Sequence, residues 1–180
     1  MKKVLVLEGS PRKGGNSDLL SDEFIKGARE SGHEVEKVYL TDKKIGYCTG
    51  CRGCKATHKC VVHDDDAHEI YEKFIAADVI VFATPVYFYA ITGQMKTFID
   101  RAVAYSDSGL INSKDFYYII TAGVTQAIAK DSTASSLHGF ALCLENITEK
   151  AVIYASGVGD KGAVIGRPEM KQAYEFGRNI

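Results

Sequence analysis

The chain has 180 residues, 46% of them hydrophobic, and a formal net charge of −1. That length and composition suit one domain with an ordinary core, and the even charge balance argues against nucleic acid or an anionic membrane surface as the main partner. No apolar stretch approaches transmembrane length, and the short apolar run after Lys2 and Lys3 is too brief for a signal peptide, so a cytoplasmic protein is expected, its five cysteines reduced thiols or metal ligands.

The first apolar run, residues 4–7, reads as a buried strand. It leads into Gly9-Ser10-Pro11-Arg12-Lys13-Gly14-Gly15-Asn16-Ser17, and the spacing of Leu20, Phe24 and Ala28 predicts a helix directly after. Such a turn offers free backbone N–H groups where an anion is stabilised, and glycines allow close backbone approach. Ser10, Asn16 and Ser17 add short donors, and Arg12 adds a forked cation suited to phosphate. Gly15 and Asn16 stand where a triphosphate loop needs Lys and Ser or Thr, and Gly-x-Gly-x-x-Gly is absent from this turn. A single phosphomonoester therefore fits better than ATP or a dinucleotide. The alternative is an ordinary loop whose glycines only make the turn.

Residues 33–40 mix Glu34, Glu36 and Lys37 with Val35, Val38 and Leu40 and read as an edge strand. Runs 79–83, 116–120 and 151–154 read as further strands buried on both faces, as a helix-covered parallel sheet requires. Between them lie apolar stripes with helical spacing: Ile70, Phe74 and Ala77; Met95, Phe98, Ile99 and Ala102; Leu137, Phe140, Ala141, Leu144 and Ile147. Residues 64–66, all aspartate, are expected to cap a helix or charge its first turn. Alternation of strand and helix implies an α/β doubly wound five-stranded parallel sheet with helices on both faces. The polar second strand at the edge favours the order 2-1-3-4-5.

In such a sheet ligands sit beyond the carboxyl ends of the strands. Loops 9–16, 84–89 and 121–124 converge there. The second carries Pro85, Val86, Tyr87, Phe88 and Tyr89, where a flat conjugated ring can pack; alternatively these aromatics cover the core or an oligomer interface. The third, with Thr121, Ala122 and Gly123, is small enough for backbone amides to reach a ligand edge.

A cysteine-rich stretch at about 41–63 follows the second strand. Cys48, Cys51, Cys54 and Cys60 are spaced C-x₂-C-x₂-C-x₅-C, which resembles [4Fe–4S] ligation. Zinc fits less well, because structural zinc takes two separated pairs, and unliganded thiols are the remaining alternative. Arg52, Lys55 and Lys59 nearby favour thiolates. His58 and His63 read as surface residues, and Cys143 as a buried small hydrophobe. Gly157-Val158-Gly159-Asp160-Lys161-Gly162 matches Gly-x-Gly-x-x-Gly, but too little chain follows for a βαβ unit, so it is read as a loop.

Several of these stretches occur together and in order: Gly9-Ser10-Pro11-Arg12, Asn16-Ser17, the cysteine run, Asp64-Asp65, Ala77-Asp78, Pro85-Val86-Tyr87-Phe88 and Lys96-Thr97-Phe98-Ile99-Asp100-Arg101. The set resembles the NADPH-dependent FMN reductase family and, within it, the iron–sulfur flavoproteins. The likeness is good over residues 1 to about 125 and holds only in outline beyond. It implies a flavodoxin-like fold spanning residues 1–180, an FMN cofactor, a [4Fe–4S] cluster on the four cysteines, and a homodimer or homotetramer. By the same resemblance Ser10, Arg12, Asn16 and Ser17 hold the phosphate, Pro85, Val86, Tyr87 and Phe88 border the ring and ribityl chain, and Thr121, Ala122 and Gly123 face the ring's polar edge. No catalytic side chain is required, since the chemistry belongs to the flavin. The implied activity passes electrons between NAD(P)H or ferredoxin and a small acceptor such as a quinone. The rival is an FMN-carrying electron shuttle or redox sensor with no small-molecule substrate of its own.

Overall fold

The structure, a computed structural model, describes residues 1–180. Five strands, β1 (Lys3–Glu8), β2 (Glu34–Tyr39), β3 (Val79–Pro85), β4 (Asp115–Thr121) and β5 (Thr148–Ala155), form one sheet in the order β2-β1-β3-β4-β5. Every pairing is parallel. This is the flavodoxin-like, doubly wound arrangement expected from the alternating elements. The register keeps the carboxyl ends level: Glu8 pairs with Tyr39 and Ala83, and Thr121 with Pro85 and Ala155.

Helices cover both faces because the strand runs are apolar on both. On one face lie α1 (Asn16–Glu30) and α7 (Pro168–Arg178), where Leu20, Phe24, Ala28 and Ala173 pack against Val6, Val81 and Ile119. On the other lie α3 (Ala67–Ala76), α4 (Gly93–Arg101) and α6 (Ala127–Leu142), with Ile70, Phe74, Phe98, Leu137 and Phe140 against Leu7, Phe82 and Phe116. Phe82 meets Phe116 edge to face at 5.1 Å between ring centroids, an arrangement favoured by the ring quadrupoles. Two short helices, α2 (Cys54–Thr57) and α5 (Val103–Ser106), complete this side. No helix is long and apolar enough to cross a membrane.

Four details differ from the sequence-based expectation. β5 is a half-exposed edge, with Ile153 and Ala155 its only fully buried residues, because the last strand in the order has a neighbour on one side only. The third stripe outlasts its helix: α6 ends at Leu142, and Leu144 and Ile147 reach the core from the turn that follows. Cys143 is therefore exposed rather than buried, since it sits where the helix ends and the chain turns outward. Finally, α7 has no counterpart among the predicted elements. Its buried residues are Ala173 and Gly177, with Met170, Phe176 and Ile180 packed beside them on the core.

Candidate functional site: an anion cradle and a cysteine cavity

The turn after β1 is built on a buried carboxylate. Glu8 closes the strand and is fully buried. It accepts hydrogen bonds from the Ser10 N–H at 2.9 Å, the Ser17 hydroxyl at 2.8 Å and the Ser21 hydroxyl at 3.3 Å. Burial pushes its carboxyl up to about 7, although the Ser10 and Ser17 bonds and the charge of Lys37 pull the other way. The Ser10 hydroxyl in turn accepts from the Arg12 N–H at 3.1 Å. Gly14 takes the left-handed conformation, φ 68°, that the tight return into α1 demands.

The result is a set of donors with nothing to donate to. Gly15 caps α1 without a side-chain hydrogen bond, and the N–H groups of Asn16, Ser17 and Asp18 have no acceptor in the chain, as the first turn of a helix requires. The side chains of Asn16 and Ser17 are already engaged. Asn16 Nδ2 donates to the carbonyls of Val158 and Asp160, both at 2.8 Å, and its Oδ1 accepts from the Val164 N–H at 3.2 Å. It is the backbone at 16–18, together with the Ser10 hydroxyl and the Arg12 guanidinium, that is left for a ligand.

These groups line a cavity of about 230 Å³ whose other walls are Pro85, Val86, Tyr87, Thr121 and Gly123. Of the residues singled out from the sequence for these three loops, Phe88, Tyr89 and Ala122 stand apart. Phe88 is fully exposed, and Ala122 is buried with its N–H and carbonyl paired to Ala155 and Val158. Phe88 and Tyr89 both have positive φ, 49° and 59°, in a turn closed by two hydrogen bonds between Tyr87 and Ala90. Bulky residues there store backbone strain, and the strain presents an aromatic ring to solvent at the rim of the cavity. A fourth wall was not expected: Val158, Gly159 and Lys161 of the Gly-x-Gly-x-x-Gly loop. The sequence signal for it is that motif, which lies beyond the carboxyl end of β5 and serves here as a cradle wall, not as a dinucleotide turn.

All four motif cysteines line a second cavity of about 480 Å³, which shares no residue with the first. Its floor is an ion pair. Arg101, at the end of α4, is buried and grips Asp65 with two bonds of 2.7 and 3.2 Å while donating to the Gly46 carbonyl at 2.8 Å. Asp65 also accepts from the N–H groups of Gly46 at 2.8 Å and Ala67 at 3.2 Å; the N-cap of α3 is Asp66, whose side chain does not cap the helix as expected but accepts from the Lys44 N–H at 2.7 Å. Burial would raise the Asp65 carboxyl, but the Arg101 and Gly46 bonds outweigh it and hold it below the usual carboxylate range. Burial likewise opposes the Cys60 thiolate, yet the N–H groups of His63 and Val62 and the charge of Arg101 leave that thiol below its ordinary value. Cys54 is buried and Cys48 and Cys51 are exposed. His63 points away from a ligand role, its Nε2 donating to the Tyr47 carbonyl at 2.9 Å. No three His, Cys, Asp or Glu side chains close on a common point as a single metal ion requires; the thiols share a cavity without converging.

One helix connects the two cavities. At its start Thr92 caps α4 through Met95 N–H and donates to the Gly9 carbonyl at 2.8 Å. A Cβ on Gly9 would lie 2.9 Å from the Thr92 hydroxyl oxygen, so glycine is needed for this approach. At the other end stands Arg101. The nine residues of α4 set the two anchors roughly 14 Å apart at 1.5 Å per residue.

Residues 2–148 match the NADPH-dependent FMN reductase family. An iron-sulfur flavoprotein of Archaeoglobus fulgidus is 37% identical over 180 residues, covering 100% of this chain and 79% of that protein. An iron-sulfur flavoprotein of Methanosarcina thermophila is 32% identical over 136 residues, 76% of this chain and 71% of that one. In fold, an NAD(P)H:quinone oxidoreductase from Methanothermobacter marburgensis superposes with a TM-score of 0.79 at 19% identity, covering 99% of this chain and 95% of that one. With its sheet order, its acid-free anion cradle and this match over most of its length, the chain belongs to the NADPH-dependent FMN reductase family, as an oxidoreductase with FMN as its cofactor.

Proposed function

We propose that the chain is an iron–sulfur flavoprotein that passes electrons between a reduced donor, NAD(P)H or ferredoxin, and a small acceptor such as a quinone. The observation that carries this reading is the presence of an anion cradle and a separate four-cysteine cavity in one chain. The cradle fits FMN by the chemistry of its donors. The unpaired N–H groups at 16–18, the Ser10 hydroxyl and Arg12 supply a phosphate with donors and charge, and no acidic side chain lines the cavity. Pro85, Val86 and Tyr87 on one side and Thr121 and Gly123 on the other form walls for the rest of the cofactor.

The second cavity fits a [4Fe–4S] cluster by its donor set of four thiols, with Arg52 and Lys55 also in its wall. A cluster holds its four sulfurs further apart than one metal ion does, and Cys48 and Cys51, exposed on a loop with left-handed turns at Gly50 and Arg52, are free to draw in around it. The names of the relatives support the same assignment. Bound FMN would supply the hydride and one-electron chemistry. This chain's residues bind the phosphate, hold the ring against Tyr87, and lower the Cys60 thiol. The exposed Phe88 beside the cradle favours a homodimer or homotetramer in which a second copy covers it.

Anaerobic purification followed by an absorption spectrum and iron and sulfide analysis tests the reading. Flavin bands with iron and sulfide in equal amounts are expected. Full flavin without iron would remove the cluster, and steady turnover of NAD(P)H with a quinone separates an enzyme from an electron shuttle or redox sensor reduced only by a protein partner.

A further inference from the structure

The Gly-x-Gly-x-x-Gly loop lies beyond residues 2–148 that match the family, yet it forms one wall of the anion cradle. Its glycines have local reasons. Gly157 and Gly162 take φ of 68° and 83°, and a Cβ on Gly123 would come within 3.3 Å of the Gly159 Cα, so the loops after β4 and β5 meet backbone to backbone. Asn16 then pins the loop onto the start of α1 with the three hydrogen bonds described above, and the Val158 N–H donates to Ala122 at 2.9 Å. This places Lys161 against the turn. Its Nζ lies 3.2 Å from where a Cβ on Gly14 would stand. Lys161 forms no ion pair, and neither does Arg12. The nearby carboxylate of Asp18 is taken by Lys37, the Gly14 N–H and the Tyr39 hydroxyl. Two cations therefore face one cavity with no acid in its wall.

We propose that Lys161 is a specificity-determining residue that supplies the second cation for the cofactor's phosphate, from a loop locked in place by Asn16. This rests on the reading that the cradle takes the phosphate of FMN. A phosphomonoester near neutral pH carries close to two negative charges, more than one guanidinium balances. Arg12 from the first loop and Lys161 from the last then close on it from opposite sides, so that the site discriminates FMN from riboflavin by charge.

The test is a titration of the full chain, freed of flavin, with FMN and with riboflavin. Lys161→Gln should weaken FMN roughly 10- to 100-fold, as expected for loss of a hydrogen bond to a charged group, and leave riboflavin unchanged. Lys161→Arg should restore most of the loss, and the salt dependence of FMN binding should be shallower in Lys161→Gln than in the parent. If Lys161→Gln binds FMN as the parent does while Arg12→Ala loses FMN alone, the proposal is wrong and the phosphate reading stands. If it weakens both flavins equally, Lys161 acts through loop packing and the proposal also fails. If neither variant separates FMN from riboflavin, the phosphate reading itself falls.

Discussion

At the scale of single residues, buried Glu8 and partly buried Asp65 behave oppositely, and each predicts a measurable effect. Glu8 has no cationic partner in contact, and burial raises it from its ordinary value of 4.5 to about 7. An acid whose folded value is raised costs nothing below pH 4.5, where both states are protonated. The cost then grows as pH rises and is complete above pH 7, at about 3 kcal/mol. Denaturant unfolding of the flavin-free chain should show this loss of stability between pH 5 and pH 8. Glu8→Gln, which keeps an acceptor for Ser10 and Ser17, should abolish it; an unchanged slope in that variant would assign the pH dependence elsewhere. Asp65 is instead held ionised by Arg101. Arg101→Met would leave that partly buried carboxylate without its cation and should destabilise the chain by roughly 1 to 3 kcal/mol. It should also raise the Cys60 thiol, which thiol alkylation rates against pH would report. Thiol rates that match the parent would show that Arg101 does not govern that cysteine.

At the scale of elements, the last helix is attached through glycine. A Cβ on Gly177 would overlap the Phe24 carbonyl oxygen, and one on Gly27 would overlap the Tyr174 carbonyl oxygen, so α1 and α7 cross with their backbones in contact. Neither position has a left-handed backbone; the requirement is space alone. Gly177→Ala should cost about 3 kcal/mol as α7 is pushed off α1, seen as a lowered thermal midpoint. Because α7 follows directly on the 156–167 loop, hydrogen exchange in that loop should rise as well. A midpoint within a degree or so of the parent would mean that the crossing yields without cost. Met170, Ala173 and Phe176, with Ile180 just beyond, supply the apolar side of the same helix, around the glycine contact.

At the scale of the whole molecule, the two cavities share no residue; α4 ends at Arg101 in the cysteine cavity, and its cap Thr92 holds Gly9 next to the cradle. Cys54→Ser should therefore remove most iron and sulfide from anaerobically prepared protein and leave FMN binding within about twofold, since distant sites act independently. Loss of flavin along with iron would instead mean that the cysteine loop supports the cradle. Sequence alone determined the strand runs, the sheet order, the glycine-rich turn after β1 and the cysteine spacing. Each of these is local: a continuous apolar run, a helix start or a two-residue gap is written in neighbouring residues. Tertiary structure decided how the groups divide their labour. It assigned the side chains of Asn16 and Ser17 to the loop and to Glu8, leaving their backbone N–H groups for a ligand. It brought Lys161 to the cradle across more than a hundred residues and set Arg101 beneath the cysteines. It turned Cys143 outward and docked α7 on glycine. Those outcomes depend on which hydrogen-bond partner and which free volume a folded neighbour offers, and such long-range complementarity leaves no period or motif in the chain.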